Sequence, residues 1–144
     1  MMMRRRDWAL LAIASANGEP VTPAQLQKCL FLLGQVMAST VGRPYYAFKP
    51  HNYGPLSAAI YEDADQLEVE GLVRIDRGQP GRSWSLYFAT AEGLAHAKKL
   101  DVPSAARNYL RQVMAWARGL SFSELIASIY EAYPEQRENS IFVD

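Results

Sequence analysis

Cysteine is almost absent from this chain, because Cys29 is the only one in 144 residues. A single thiol excludes an internal disulfide and a zinc site built from a cysteine cluster. Long apolar runs are missing as well, since none approaches the roughly 20 residues that span a bilayer. We therefore expect a protein without a membrane segment, a disulfide or a cysteine-bound metal.

The chain also lacks an excess of charge of either sign, because its 15 basic and 15 acidic residues cancel. A domain that contacts nucleic acid over its whole surface is usually basic, so only a local basic patch stays open as a DNA site. Arg4, Arg5 and Arg6 precede an apolar stretch, as in a signal peptide, but no clear small-residue cleavage site follows. We interpret the stretch as a helix and, given the lone cysteine, expect a cytoplasmic protein.

The motifs of common enzyme classes are missing too. The sequence holds no glycine-rich phosphate loop and no Gly-x-Ser-x-Gly nucleophile elbow. Its two histidines, His51 and His96, fall on different predicted elements and lack the spacing of a metal pair. We therefore predict that the protein is not an enzyme and has no catalytic residues, no cofactor and no metal.

Helical periodicity dominates what the sequence does contain. Thr22 followed by Pro23, and Ser121 followed three residues later by Glu124, are typical helix starts. Clusters of glycine and proline separate the periodic segments. The predicted helices cover residues 7–16, 23–40, 56–71, 91–100, 105–118 and 122–133, and the predicted strands cover residues 45–48, 72–76 and 84–88.

The second and third predicted helices each carry an apolar stripe, and we expect the two stripes to share one core. Leu30 and Leu33 lie on the first stripe, and Ile60 and Leu67 lie on the second. Cys29 falls within the first stripe, so we interpret it as a buried structural thiol rather than a reactive one.

Three helices followed by a hairpin predict a mainly α fold with a winged helix-turn-helix core over residues 1–100. The third helix would take the recognition position and the hairpin would be the wing. Residues 86–93, LYFATAEG, resemble the exit from the wing in regulators of the MarR and PadR type, where an aromatic strand ends at a Thr-x-x-Gly helix start. Residues 101–144 would form a C-terminal helical extension, packed on this core or at a dimer interface.

Two further segments resemble a narrower family. Residues 26–33, LQKCLFLL, are similar to the LQKLLY helix of the Panacea domain, which occurs in SocA-like antitoxins. Residues 48–57, FKPHNYGPLS, resemble that family's Tyr-Gly-Pro loop and the start of the helix after it. The resemblance covers about residues 20–90. It implies a regulatory domain that acts by contacting a protein partner such as a toxin-like protein.

A polar and aromatic loop precedes the third predicted helix, and that helix is rich in acidic residues. An acidic helix beside an aromatic loop suits a basic protein partner through complementary charge. The two would form one contiguous patch. The residues of this expected partner surface are His51, Asn52, Tyr53, Glu62, Asp65 and Glu68.

Both features also have a simpler structural interpretation. The loop would be a turn in which Gly54 adopts an unusual backbone conformation, Pro55 begins the helix and Tyr53 packs inside. The acids of the third helix would be a solvated face, because all five lie off the core stripe; they are Glu62, Asp63, Asp65, Glu68 and Glu70.

DNA binding by a transcriptional regulator is the alternative function. The predicted third helix carries five acids and no basic residue, so DNA phosphates would repel it. DNA would therefore be held by the wing and by a basic amino-terminal arm. The candidate residues are Arg74, Arg77 and Arg82 of the wing and Arg4–Arg6 of the arm.

The chain ends in an apolar segment, Ser140–Asp144, after a polar stretch. This tail either folds back on the core or docks on a partner or a second copy. The last two helices are amphipathic and could also form a homodimer.

Overall fold

The computed structural model describes residues 3–143, so Met1, Met2 and Asp144 of the predicted tail lie outside the described residues. The fold is mainly helical, with two small antiparallel hairpins. Within residues 3–143, no helix is both long and apolar enough to cross a membrane. The helices are α1 (Arg5–Ala14), α2 (Pro23–Val36), α3 (Ala38–Val41), α4 (Ala58–Val69), α5 (Ala91–Lys99), α6 (Ser104–Arg118) and α7 (Phe122–Ala132), and a 3-10 turn follows at Pro134–Arg137. The strands are β1 (Lys49–His51), β2 (Gly54–Leu56), β3 (Val73–Asp76) and β4 (Leu86–Ala89).

Helix α1 lies at the centre of the molecule. Its residues from Asp7 to Ala14 are all buried, and it packs against α2, α4, α5 and α6. The predicted core is confirmed, because Leu30, Leu33, Ile60 and Leu67 are fully buried in one cluster around this helix. Burial of each such side chain stabilises the fold by about 1.5–3 kcal/mol.

The last two helices belong to the same core. Ala106, Leu110 and Met114 of α6 are fully buried, and α6 packs against α2. Leu125 of α7 joins the same cluster of side chains. The faces that the sequence marks as apolar on α6 and α7 are thus covered largely within one chain.

The first hairpin differs from the prediction. The predicted strand over residues 45–48 is wrong, because pairing begins only at Lys49, which lies opposite Leu56 in β2. Helix α4 consequently begins at Ala58, with Ser57 as its N-cap residue, and not at the expected residue 56. Residues 54–56 cannot start a helix while they are paired with β1.

The tyrosines in the wrongly predicted strand are anchored from the inside. The hydroxyl of Tyr45 donates a hydrogen bond to the carbonyl of Leu30 on α2. The hydroxyl of Tyr46 donates to the carboxylate of Asp63 on α4, at 2.6 Å. Side-chain contacts with helices, and not strand pairing, therefore fix this segment.

The second hairpin is confirmed, with Val73 opposite Ala89 in the antiparallel pair β3–β4. Val21, in the link between α1 and α2, extends it by exchanging two 2.9 Å backbone hydrogen bonds with Tyr87. This contact ties the hairpin to the first two helices.

The Thr-x-x-Gly start of α5 has a structural reason. The Thr90 hydroxyl accepts a hydrogen bond from the Gly93 amide and donates one to the Gly71 carbonyl. A Cβ atom on Gly93 would overlap the carbonyl oxygen of Leu72. Glycine at position 93 therefore lets α5 approach the backbone that leads into β3.

Candidate functional site

Two of the predicted surfaces, the wing and the acidic face of α4, contact each other through Arg77. Arg77 of the wing forms salt bridges with Asp65 at 3.2 Å and with Glu68 at 2.7 Å on α4. Glu68 also accepts a hydrogen bond from the Ile75 amide in β3. The hydrogen bond from Arg77 lowers the pKa of Glu68 below its ordinary value. These acids are therefore engaged by the protein's own wing before any partner arrives.

Asp63 overturns the expectation that all five acids lie off the core. It is buried, and Arg5 donates two hydrogen bonds of 2.9 Å to its two carboxylate oxygens. The packing of α1 against α4 places residue 63 at this helix contact. Burial raises the pKa of Tyr46 above its ordinary value, and the hydrogen bond to Asp63 makes a second, smaller contribution in the same direction.

The amino-terminal arginines do not form a free arm. Arg4 is the N-cap residue of α1 and pairs with Asp7 at 3.3 Å. Arg6 pairs with Glu70 at the end of α4 at 3.3 Å. Together with Arg5, these side chains join α1 to its surroundings, so the predicted basic arm is wrong.

The other two wing arginines also have partners within the chain. Arg82 pairs with Asp76 at 2.9 Å and donates a hydrogen bond to the carbonyl of Trp84. The guanidinium of Arg74 lies 4.0 Å from the centre of the Phe88 ring, which is a cation–π contact. To bind DNA phosphates, these arginines would have to share or leave their present partners.

The loop of the expected partner surface lies at the turn between β1 and β2, where His51 and Asn52 are exposed. The expectation that Gly54 adopts an unusual backbone conformation is confirmed, because its φ is +94°. The expectation that Tyr53 packs inside is wrong, because its side chain is 42% exposed. Its ring instead stands against that of Phe122 on α7, with a centroid distance of 5.2 Å.

The two segments that resemble the Panacea domain contact each other. The Gln27 amide donates to the Ser57 carbonyl and accepts from the Ser57 amide, both at 2.9 Å. The buried ammonium of Lys28 donates to the Pro55 carbonyl at 3.3 Å. Removal from water lowers the pKa of Lys28 to about 8. The polar residues of the LQK segment thus hold β2 and the start of α4 in place.

The tail folds back onto the molecule, which was one of the two expectations for it. The Ile141 amide donates to the Asn52 carbonyl at 3.0 Å. The ring of Phe142 lies 6.1 Å from that of Tyr130 and 6.5 Å from that of Phe122. The tail therefore covers part of the same turn that was expected to meet a partner.

Within residues 3–143, no hydrogen bond or ring contact joins residues 51–53 to Glu62, Asp65 or Glu68. The loop contacts α7 and the tail, whereas Asp65 and Glu68 contact the wing. The three loop residues and the pair Asp65 and Glu68 therefore lie in two different surroundings.

An apolar groove that sequence reasoning missed lies between the start of α2, the start of α7 and the wing. Its volume is about 410 Å³. Trp84 and Phe122 stand at its edges, 51% and 48% exposed, although both are large and apolar. The groove is lined by Thr22, Pro23, Ala24, Gln25, Trp84, Leu120, Ser121, Phe122 and Leu125.

One signal in the sequence could have indicated part of the groove. Phe122 is the first residue of α7, directly after the N-cap Ser121. A side chain in the first turn extends beyond the end of the helix, so membership of the apolar stripe does not ensure its burial. Trp84 offered no comparable signal, because it was predicted as the first residue of the returning strand, whereas β4 begins only at Leu86.

Comparison of the sequence with protein-family models and with curated proteins finds no match. The function is therefore inferred from the side chains of this protein. Among residues 3–143, no three His, Cys, Asp or Glu side chains converge as a metal site would require. Cys29 is buried, and removal from water raises its pKa to about 12, which keeps it a thiol at neutral pH.

Proposed function

We propose that this protein is a non-catalytic regulatory binding module whose ligand is another protein. The carrying observation is the apolar groove with the exposed Trp84 and Phe122 at its edges. Exposed aromatic residues beside a concave apolar surface are the usual centre of a protein interface, where tryptophan and tyrosine contribute most of the binding energy. The occupant we infer is an apolar side chain of the partner, inserted between these two rings.

The polar surroundings of the groove favour a polypeptide over a free apolar molecule. The groove lies at the first turns of α2 and α7, which begin at Pro23 and Phe122. The N-cap side chains of Thr22 and Ser121 already accept from the amides of Gln25 and Glu124, and Pro23 has no N–H, so only the remaining first-turn amides are available to carbonyl oxygens. A polypeptide segment of the partner supplies both: carbonyl oxygens for the amides and apolar side chains for the groove.

The proposal moves the partner surface away from the acidic helix. Arg77 pairs with both Asp65 and Glu68, so its single positive charge offsets part of the negative charge that these two acids offer a basic partner. Of the three expected acids, only Glu62 makes no salt bridge among the described residues. Tyr53 keeps its proposed role, because its ring extends the aromatic surface from Phe122.

Two resemblances support the proposal. Helices α1, α2 and α4 followed by the β3–β4 hairpin, with Val21 paired to Tyr87, resemble the element order of a winged helix. The contacts of Gln27 and Lys28 with residues 55–57 join the two segments that resemble the Panacea domain. Members of that family act through protein contacts, so a toxin-like protein is the class of partner we propose.

The experiment compares two exposed tryptophans. Trp84 lines the groove, whereas Trp116 on α6 is 42% exposed and does not line it. Tagged parent, Trp84→Ala and Trp116→Ala are expressed in the native host, and the bound polypeptides are quantified by mass spectrometry. We expect at least one polypeptide to bind the parent and Trp116→Ala equally and to be lost from Trp84→Ala, while all three chains melt alike.

A contradictory result would be a set of bound polypeptides that does not change between Trp84→Ala and the parent. Copurification of nucleic acid alone, equally with all three chains, would likewise contradict the proposal.

DNA binding remains the second candidate, and one observation favours it. Lys98, Lys99 and Arg111 form no salt bridge among the described residues, and Lys98 and Arg111 line one small cleft between α5 and α6. Cations without internal partners are the ones available to phosphates. A gel shift abolished by charge reversal at these three residues, with the partner interaction unaffected, would establish this second function.

A further inference from the structure

The tail binds to the surface around the β1–β2 turn through hydrogen bonds. Its backbone extends the network of the β1–β2 turn, since the Ile141 amide donates to the Asn52 carbonyl at 3.0 Å. The Asn139 side chain donates to the Pro50 carbonyl at 3.3 Å. Both acceptors are backbone carbonyls, which a segment with a different sequence could also reach.

One hydroxyl in the tail uses its full hydrogen-bonding capacity. Ser140 Oγ donates to the Asn52 carbonyl at 3.2 Å, and accepts from the Tyr130 hydroxyl at 2.6 Å and from the Phe142 amide at 3.0 Å. A hydroxyl has one donor and two acceptor positions, so all three are occupied. The surface therefore distinguishes a serine or threonine at this position from a residue without a hydroxyl.

One aromatic ring supplies the apolar part of the contact. Phe142 lies against Tyr130 and Phe122, whereas its neighbours Ile141 and Val143 are 62% and 87% exposed. A segment held by one ring, one hydroxyl, one backbone amide and the Asn139 side chain can open without unfolding the domain. Such opening exposes the residues that hold the tail.

We propose that this surface is a peptide-binding site, which the chain's own tail occupies until a partner replaces it. The partner's segment is extended and offers a serine or threonine followed two residues later by an aromatic ring. Phe122 belongs both to this site and to the groove, so a partner bound in the groove reaches the tail directly. The tail and the partner thus compete for the same surface, and the strength of the tail's contacts determines how often that surface is exposed.

This inference rests on the proposed function, but the two fail differently. Loss of the partner in Trp84→Ala tests the groove, whereas the tail site is tested with a synthetic peptide and needs no partner. The probe is a fluorescein-labelled peptide of residues 138–143, ENSIFV, and its binding is followed by fluorescence anisotropy. Two control peptides carry alanine in place of the serine or of the phenylalanine.

The full-length chain is compared with Phe142→Ala, which removes the ring of its own tail. The matched control is Ile141→Ala, because that side chain is 62% exposed and makes no ring contact. We expect Phe142→Ala to bind ENSIFV at least tenfold more tightly than the parent and Ile141→Ala. Each control peptide should bind Phe142→Ala at least tenfold more weakly than ENSIFV.

A second variant, Ile141→Pro, removes the amide that donates to Asn52 and should open the site in the same way if Phe142→Ala does not fold. Equal affinity of the parent and both tail variants for ENSIFV would overturn the proposal. It would also be overturned if the three peptides bound equally. Sedimentation of the parent as a dimer that ENSIFV dissociates would overturn it too, because the occupant would then be the tail of a second copy.

Discussion

The role of a charged residue in this protein depends more on the residues around it than on its own charge. Arg77 belongs to a wing that was expected to meet DNA, and Asp65 to a helix that was expected to meet a basic partner, yet they pair with each other. Asp63 has the same carboxylate as the exposed acids but is buried against Arg5. Sequence shows which charges exist, whereas the pairing depends on contacts between residues far apart in the chain.

Lys28 should make the stability of the protein depend on pH. Its folded pKa of about 8 lies below its ordinary value of 10.5, so the unfolded chain binds more protons between these two values. The stability of the parent should therefore rise from pH 8 toward pH 10 relative to that of Lys28→Met, by up to about 3 kcal/mol. Denaturant unfolding at several pH values measures this difference.

The comparison with Lys28→Met matters because tyrosines act in the opposite direction. Burial raises the pKa of Tyr87 and of Tyr109 to about 12, so their contribution is lost as the pH rises above the ordinary value of 10. These residues are common to both chains, and their effect cancels. A difference between the parent and Lys28→Met that does not change with pH would contradict the burial of the Lys28 ammonium.

Cys29 should be unreactive while the protein is folded. With a pKa of about 12, roughly one thiol in ten thousand is ionised at pH 8, and the side chain is fully buried. We expect no colour from an aromatic disulfide reagent in buffer, and one equivalent of released thiolate in guanidinium. Rapid labelling in buffer, at the rate of a free thiol, would show that Cys29 is not in the core.

At the scale of elements, the sequence predicted those with strong local signals. The N-cap at Thr22 and the capping box at Ser121 form as expected, and the β3–β4 hairpin lies where the turn residues indicated. The β1–β2 hairpin was missed because strands of three residues show no periodicity. The aromatic residues before it suggested a strand, but Tyr45 and Tyr46 serve as inward anchors.

The start of α5 provides a test of packing between elements. Gly93→Ala improves helix propensity by about 1 kcal/mol, but the new methyl group would overlap the Leu72 carbonyl. We expect a net loss of about 1–3 kcal/mol in the free energy of unfolding. The matched control is Gly119→Ala, at an ordinary helix end where the nearest atom lies 3.5 Å from the new Cβ. Equal stability of the two variants would mean that α5 does not approach β3 as described.

At the scale of the whole molecule, one core holds all the helices that surround α1. Leu33 and Leu67 lie on α2 and α4 and are both fully buried in that core. Each of Leu33→Ala and Leu67→Ala should therefore lower the free energy of unfolding by about 2–5 kcal/mol. Thermal or denaturant unfolding measures the loss, and unchanged melting temperatures in both variants would contradict the packing.

The site could be predicted less well than the fold, because the site depends on how distant segments of the chain come together. Core stripes are periodic within one helix, so Leu30 and Ile60 were identifiable from sequence. The groove instead forms where three distant segments meet, and its two exposed rings, Trp84 and Phe122, are 38 positions apart in the chain. Tyr53 was predicted as a partner residue, but it does not line the groove, and its contact with Phe122 was not foreseen.

The central claim is that the partner binds at the aromatic groove and not at the acidic helix. The decisive measurement is the dissociation constant of the purified complex, determined by calorimetry for the parent, Trp84→Ala and the double variant Asp65→Asn, Glu68→Gln. We predict that Trp84→Ala weakens binding about 30-fold or more, as expected for a residue at the centre of an interface. The double variant should stay within about threefold of the parent, because its carboxylates are already paired with Arg77. The reverse pattern, with affinity lost in the double variant and kept in Trp84→Ala, would contradict the account.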